Sequence, residues 1–142
     1  MLKTHDDKVF TCGTNDFGEL GLGHRENTYY LTEIEDLTGK EVSKISCCLY
    51  SAALTKRGEL FIWGTSPQGE SIRPQKLKVS QKPLVDIKIG VRLALAQDEL
   101  GKVWAWGQND NFELGLGNNS KQEKAKEIRS LANKSVRGFA IG

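Results

Sequence analysis

The chain has 142 residues, 38% of them hydrophobic, a formal net charge of +2 and three cysteines. That length supports one small domain with an adequate core, the charge is too small to argue for nucleic-acid binding, and no run of 18 apolar residues exists to cross a bilayer. An odd set of cysteines gives no disulfide framework, His5 and His24 lie in no zinc spacing with them, and no apolar leader follows Met1; these features point to an intracellular, cytoplasmic or nuclear protein with no metal and no cofactor.

In chain order, the first clear element is an apolar strand, Val9-Phe10-Thr11-Cys12, stopped by Gly13. A glycine-rich run follows, Gly13-Thr14-Asn15-Asp16-Phe17-Gly18-Glu19-Leu20-Gly21-Leu22-Gly23, and then a variable loop over residues 24–38. Gly13, Gly18, Gly21 and Gly23 read as turn positions that let the chain double back and tuck Leu20 under the sheet. Residues 42–55 are apolar and β-branched and end in the turn Lys56-Arg57-Gly58. A second unit opens at Leu60-Phe61-Ile62-Trp63, stopped by Gly64, with Gly69-Glu70 standing where Gly18-Glu19 stood 51 positions earlier. Residues 84–97 repeat the layout of 42–55 before the turn Asp98-Glu99-Leu100-Gly101. The third unit opens at Val103-Trp104-Ala105-Trp106, and the glycine run returns 94 positions after its first appearance, from Gly107 to Gly117, identical at eight of eleven places. Its turn glycines are Gly107, Gly115 and Gly117. Residues 118–133 form a loop matching 24–38, and although 120–131 hold helix-forming residues, the matching stretch of the first unit is rich in Thr, Tyr and Ile. Less than about a tenth of the chain is therefore expected to be helical.

The stopping glycines Gly13, Gly64 and Gly107 are spaced by 51 and then 43 residues, a period that belongs to solenoids and propellers. Strands apolar on both faces suit a sheet covered on both sides, as a propeller blade is. The expectation is an all-β chain, residues 1–142 forming one partial β-propeller domain with repeat units at about 1–50, 51–92 and 93–142. Three consecutive four-stranded antiparallel blades, or two whole and one shared, make an incomplete ring, since closed propellers use about 4 to 8 blades.

The pattern of valine, aromatic, two residues, Gly-x-Asn-x-x-Gly-Glu-Leu-Gly-x-Gly, followed by an apolar strand ending in Ala53-Leu54-Thr55-x-x-Gly58, resembles the repeat of the regulator of chromosome condensation family, over nearly the whole chain. The resemblance implies a seven-bladed β-propeller whose best-known activity is nucleotide exchange on the small GTPase Ran, or a propeller that serves as a binding module in larger proteins. There are departures. Cys47-Cys48-Leu49-Tyr50 and Gly90-Val91-Arg92 replace the family's Gly-Gly-x-His, Phe112 replaces the turn glycine found at Gly18, and Ser71-Ile72-Arg73-Pro74 replaces Leu-Gly-x-Gly in the middle unit. The chain starts on one apolar strand at Met1 and stops within another at Gly142, so it reads as cut from a longer propeller.

No catalytic arrangement stands out. Gly18-x-x-Gly21-x-Gly23 is neither a dinucleotide nor a P-loop pattern, and two loop histidines with no nucleophile make no triad. Glu19, Glu70 and Glu113 recur by architecture and are expected to accept bonds from turn amides. Trp63, Trp104 and Trp106 are expected in the core, and Cys12, Cys47 and Cys48 as small hydrophobes within strands, the last two on opposite faces. Binding residues belong on the tips: Asp16, Phe17, Asp110, Asn111 and Phe112, with each ring either anchoring a partner or folded back over the neighbouring blade. Charge divides unevenly, −4 over residues 1–48 and +6 over 49–142, so Lys121 and Lys124 are further candidates for an acidic partner. The function expected is a non-enzymatic protein-binding scaffold. The alternative is an exchange factor for a small Ran-like or Rab-like GTPase, but the hairpin that serves this purpose in the Ran exchange factor has no counterpart insertion here. The expected partner is a protein, such as a small GTPase or the remaining blades of the propeller, with nucleic acid and membrane disfavoured.

Overall fold

Residues that alternate with period two along a strand face opposite sides, and here both sides are apolar, so each sheet has to be covered twice. The computed structural model, which describes residues 1–141 and leaves the terminal Gly142 of the third unit outside the described residues, meets that requirement with three stacked sheets. The first contains β1 (Leu2–Lys3), β2 (Val9–Gly13) and β3 (Thr28–Glu33). The second contains β4 (Val42–Cys47), β5 (Tyr50–Thr55), β6 (Leu60–Ser66) and β7 (Gly69–Leu77). The third contains β8 (Leu84–Ile89), β9 (Leu93–Asp98), β10 (Val103–Gly107) and β11 (Gln122–Glu127). All neighbouring strands pair antiparallel in chain order.

Two apolar layers hold the stack. Val9, Ile34, Leu37, Val42, Ala53, Phe61 and Trp63 pack between the first and second sheets. Tyr50, Ala52, Leu54, Leu60, Ile62, Leu84, Ile87, Ile89, Ala94, Ala96 and Trp106 pack between the second and third. The middle sheet feeds both layers from alternate positions of β5 and β6, which is why β5 is buried along its whole length. On the far face of the third sheet the final segment lies close, with the Gln97 side-chain amide donating to the Val136 carbonyl at 3.0 Å.

Several expectations are corrected. The first sheet has three strands, not four. Residues 24–38 and 118–133 are not loops: each carries an outer edge strand, β3 or β11, followed by a single 3-10 turn at Glu35–Leu37 or Arg129–Leu131. In β11 the helix-forming residues are overridden by pairing with β10, Trp104 against Glu127 and Ala105 against Lys126, and their charges suit an open edge. Gly69 does not repeat Gly18. It closes a tight hairpin between β6 and β7 and has open space around its Cα, whereas Gly18 is pressed against Ile72. The three cysteines are exposed, not buried, since Cys12 and Cys47 fall where β2 and β4 run out of the packed layers and Cys48 lies in the following bend. Trp104 is only half-buried, its indole N–H donating to the buried Asp98 at 3.1 Å.

Candidate functional site

The first and third glycine runs fold the same way because an asparagine at the same place in each ties its turn together from inside. Asn15 is fully buried. Its Nδ2 donates to the carbonyls of His24 at 2.8 Å and Glu26 at 3.1 Å, and its Oδ1 accepts the amide of Leu20 at 3.0 Å. Asn109, 94 positions later and equally buried, donates to Asn118 at 2.6 Å and Ser120 at 3.3 Å and accepts from Leu114 at 2.9 Å. An amide is the one short side chain that offers both donors and an acceptor, and the bonds place Leu20 and Leu114 in the interior. Glu19 and Glu113 complete each turn by accepting the amides of Phe17 and Asn111, both at 2.8 Å. Glu70 plays no such part and pairs instead with Arg25 at 2.7 Å.

The first turn also closes the junction behind it. The Glu19 carbonyl accepts the Trp63 indole N–H and the Ser51 hydroxyl of the second sheet, both at 2.9 Å. Gly21 lies so close over that indole that an added Cβ would stand 2.6 Å from Trp63 Nε1, at a φ of +74°.

Asp16, Asp110, Asn111, Phe17 and Phe112 are all exposed at the tips, with Phe17 at 48% and Phe112 at 61%. Neither ring folds back over a neighbouring blade. Phe112 takes the place of Gly18 with the backbone of a glycine, φ 63° against 73°. A side chain in that left-handed conformation costs about 1–2 kcal/mol. At Gly18 it is excluded anyway, since a Cβ would stand 2.8 Å from Ile72 Cγ2. Phe112→Gly is therefore expected to raise stability by about 0.5–1 kcal/mol, the released strain less the flexibility that glycine adds to the unfolded chain. A urea titration reads this directly, and a loss of stability would mean that the ring packs against something.

Of the predicted site residues, the structure brings Asp110 and Lys121 together, in a cleft of about 390 Å³ between the second and third sheets that is also lined by Leu49, Tyr50, Val91 and Arg92. Burial holds the Tyr50 hydroxyl far above its ordinary pKa, so it stays protonated and donates to the Leu93 carbonyl at 3.1 Å. Asp16, Phe17, Asn111, Phe112 and Lys124 do not line this cleft, and Lys124 sits exposed on the β11 edge. Among the described residues no group of His, Cys, Asp and Glu is placed to hold a metal ion, and no helix is long and apolar enough to cross a membrane. The sequence reading missed Asn15 and Asn109, whose signal was present: they are the same amide at the same step of a run whose other identities are glycine, leucine and acid.

The chain matches the family described as "Regulator of chromosome condensation (RCC1) repeat" over residues 6–53 and 101–142. Human E3 ubiquitin-protein ligase HERC2 is 32% identical over 149 aligned residues, 98% of this chain and 3% of that protein. The bovine secretion-regulating guanine nucleotide exchange factor is 31% identical over 114 aligned residues, 73% of this chain and 25% of that protein. Among solved structures, human WBSCR16 superposes with a TM-score of 0.83 at 24% identity, and Prp20p of Saccharomyces cerevisiae, described with its binding properties to Gsp1p and histones, with 0.78 at 18%. Each of these superpositions covers 92% of this chain and 36% of the other. The structural likeness carries the fold, and the chain spans about a third or less of each of these relatives.

Proposed function

The chain belongs to the regulator of chromosome condensation repeat family, and we propose that it works as a non-enzymatic protein-binding scaffold whose contact surface is the rim of turn tips. The observation that carries this reading is Phe112: a large apolar side chain, 61% exposed, held at a glycine position with φ 63°. Strain retained by a locked turn is most simply explained when the strained group does something, and an exposed aromatic is a strong anchor for a partner. Phe17, Asp16, Asp110 and Asn111 present the same kind of tip, and the basic second half, with Lys121 and Lys124, favours an acidic partner surface. The partner is a protein, either a separate one such as a small GTPase or the remaining blades of a propeller.

The bovine exchange factor among the relatives favours a second reading, nucleotide exchange on a small GTPase. Release of a fluorescent guanine nucleotide from a panel of Ran-like and Rab-like GTPases separates the two. With the intact natural protein, no acceleration beyond the intrinsic rate is expected. Acceleration that disappears on Asp16→Ala or Asp110→Ala, with folding intact, would replace the scaffold by the exchange factor.

A further inference from the structure

Trp106 holds the same register in the third sheet that Trp63 holds in the second: Trp63 pairs with Ser51 and Trp106 with Ala94, 43 residues on. Their surroundings differ. Trp63 gives its indole N–H to the carbonyl of Glu19, supplied by the glycine turn of the preceding unit. Trp106 is fully buried and its Nε1 has no acceptor. The reason is in the sequence: the middle unit has replaced its glycine turn by the short hairpin between β6 and β7, so it supplies no turn carbonyl at this junction. The open cleft of about 390 Å³ marks the vacated place, with Leu49, Val91 and Pro67 as apolar walls, and Tyr50, a member of the same apolar cluster as Trp106, among its lining residues. A buried N–H left unpaired costs about 1–3 kcal/mol, and among the described residues this is the only buried side-chain nitrogen or oxygen so left.

We propose that this cleft is a docking site for a glycine turn of a partner protein, an acidic residue followed by Leu-Gly, whose main-chain carbonyl takes the Trp106 indole N–H as Glu19 takes that of Trp63. The neighbouring junction of the same chain shows what fits: the segment Glu19-Leu20-Gly21 fills it. The cleft lining carries Arg92 and Lys121 against Asp110, with Lys121 also paired to Glu123 at 3.5 Å outside the lining, so Arg92 is the cation that favours an acidic tip electrostatically. Trp106 is buried behind the lining of the cleft and does not itself line it, so docking requires lining side chains to move aside and open a path to its N–H. The inference rests on the scaffold reading and shares Asp110 and Lys121 with that surface, but it turns on Trp106 and not on the exposed rings of Phe17 and Phe112, so it can fail while that reading stands.

The probe is a disulfide-cyclised peptide carrying residues 13–23 of this chain, titrated into the isotope-labelled 142-residue protein. Trp106→Phe assigns the indole signal. Expected are a saturable downfield shift of the Trp106 Nε1–H with the Trp63 signal unmoved, and affinity weakened at least about tenfold by Val91→Asp or Lys121→Glu, both exposed positions. No Trp106 shift at millimolar peptide would overturn the proposal, as would a shift at Trp63, which means displacement of the chain's own turn. Concentration-dependent broadening of the Trp106 signal without peptide would also overturn it, in favour of a second copy of the chain as occupant.

Discussion

Asn15→Ala is expected to lower stability by about 3 kcal/mol, and Asn109→Ala by a similar amount, although each removes one small side chain from a turn. The carbonyls of His24 and Glu26 lie in exposed residues and can turn to water, but the amide of Leu20 is buried and cannot. Its unmet bond, the cavity left by a fully buried side chain and the loosened entry of Leu20 into the interior make up the loss. Asn15→Asp is the sharper variant. It keeps the acceptor for Leu20 but sets a carboxylate against the carbonyls that Nδ2 served at 2.8 and 3.1 Å. It should therefore destabilise at least as much as alanine near neutral pH and recover in part as pH falls through the carboxyl pKa, since protonation restores a donor. Urea unfolding at two pH values reads both effects. A loss under about 1 kcal/mol for alanine would mean that the turn is held by something else.

Gly21→Ala should cost as much or more. Its added methyl would meet Nε1, Cδ1 and Cε2 of the Trp63 indole at 2.6, 2.9 and 3.0 Å. That ring is buried on its own sheet and bonded to the Glu19 carbonyl, so it has little room to give. The left-handed backbone adds about 1–2 kcal/mol, and the displaced indole loses a hydrogen bond worth about 1 kcal/mol along with packing, for a total of about 3–4 kcal/mol. The third unit supplies its own control. Gly115 is the repeat equivalent of Gly21 at φ +63°, but its nearest atom to an added Cβ is Ile128 Cγ2 at 3.9 Å. Gly115→Ala should pay the backbone term alone. The gap between the two variants, about 2 kcal/mol, measures how tightly the first turn clamps the second sheet. Equal losses would mean that the clamp contributes nothing.

The parts of the fold that were legible in the sequence are those written in repeated local chemistry. Strands apolar on both faces, such as Leu60-Phe61-Ile62-Trp63, announced sheets covered twice, and they are. The glycine turns were legible because a positive φ leaves a residue-level mark. What was not legible depended on distant partners. Residues 122–127 look helical until β10 offers them a ladder. Cys12 and Cys47 look like core residues until the strand ends are located. The clamp over Trp63 and the unpaired Trp106 involve residues 32 to 44 positions apart or the loss of a turn in another unit, which no local pattern states. Phe112 illustrates the boundary: the sequence showed it at a glycine position, and only the backbone showed that the glycine conformation persists there with the ring left in solvent.

A scaffold that presents tips for recognition has to hold them rigidly, and native-state hydrogen exchange at the Leu20 and Leu114 amides tests this most directly. Both amides donate to a buried asparagine, at 3.0 and 2.9 Å, so they should exchange only through large-scale opening, with protection within about tenfold of the amides at the centre of β5 and β6. Exchange within about tenfold of the unfolded-chain rate would contradict the proposed mode of action, because turns that open locally cannot serve as a fixed recognition surface.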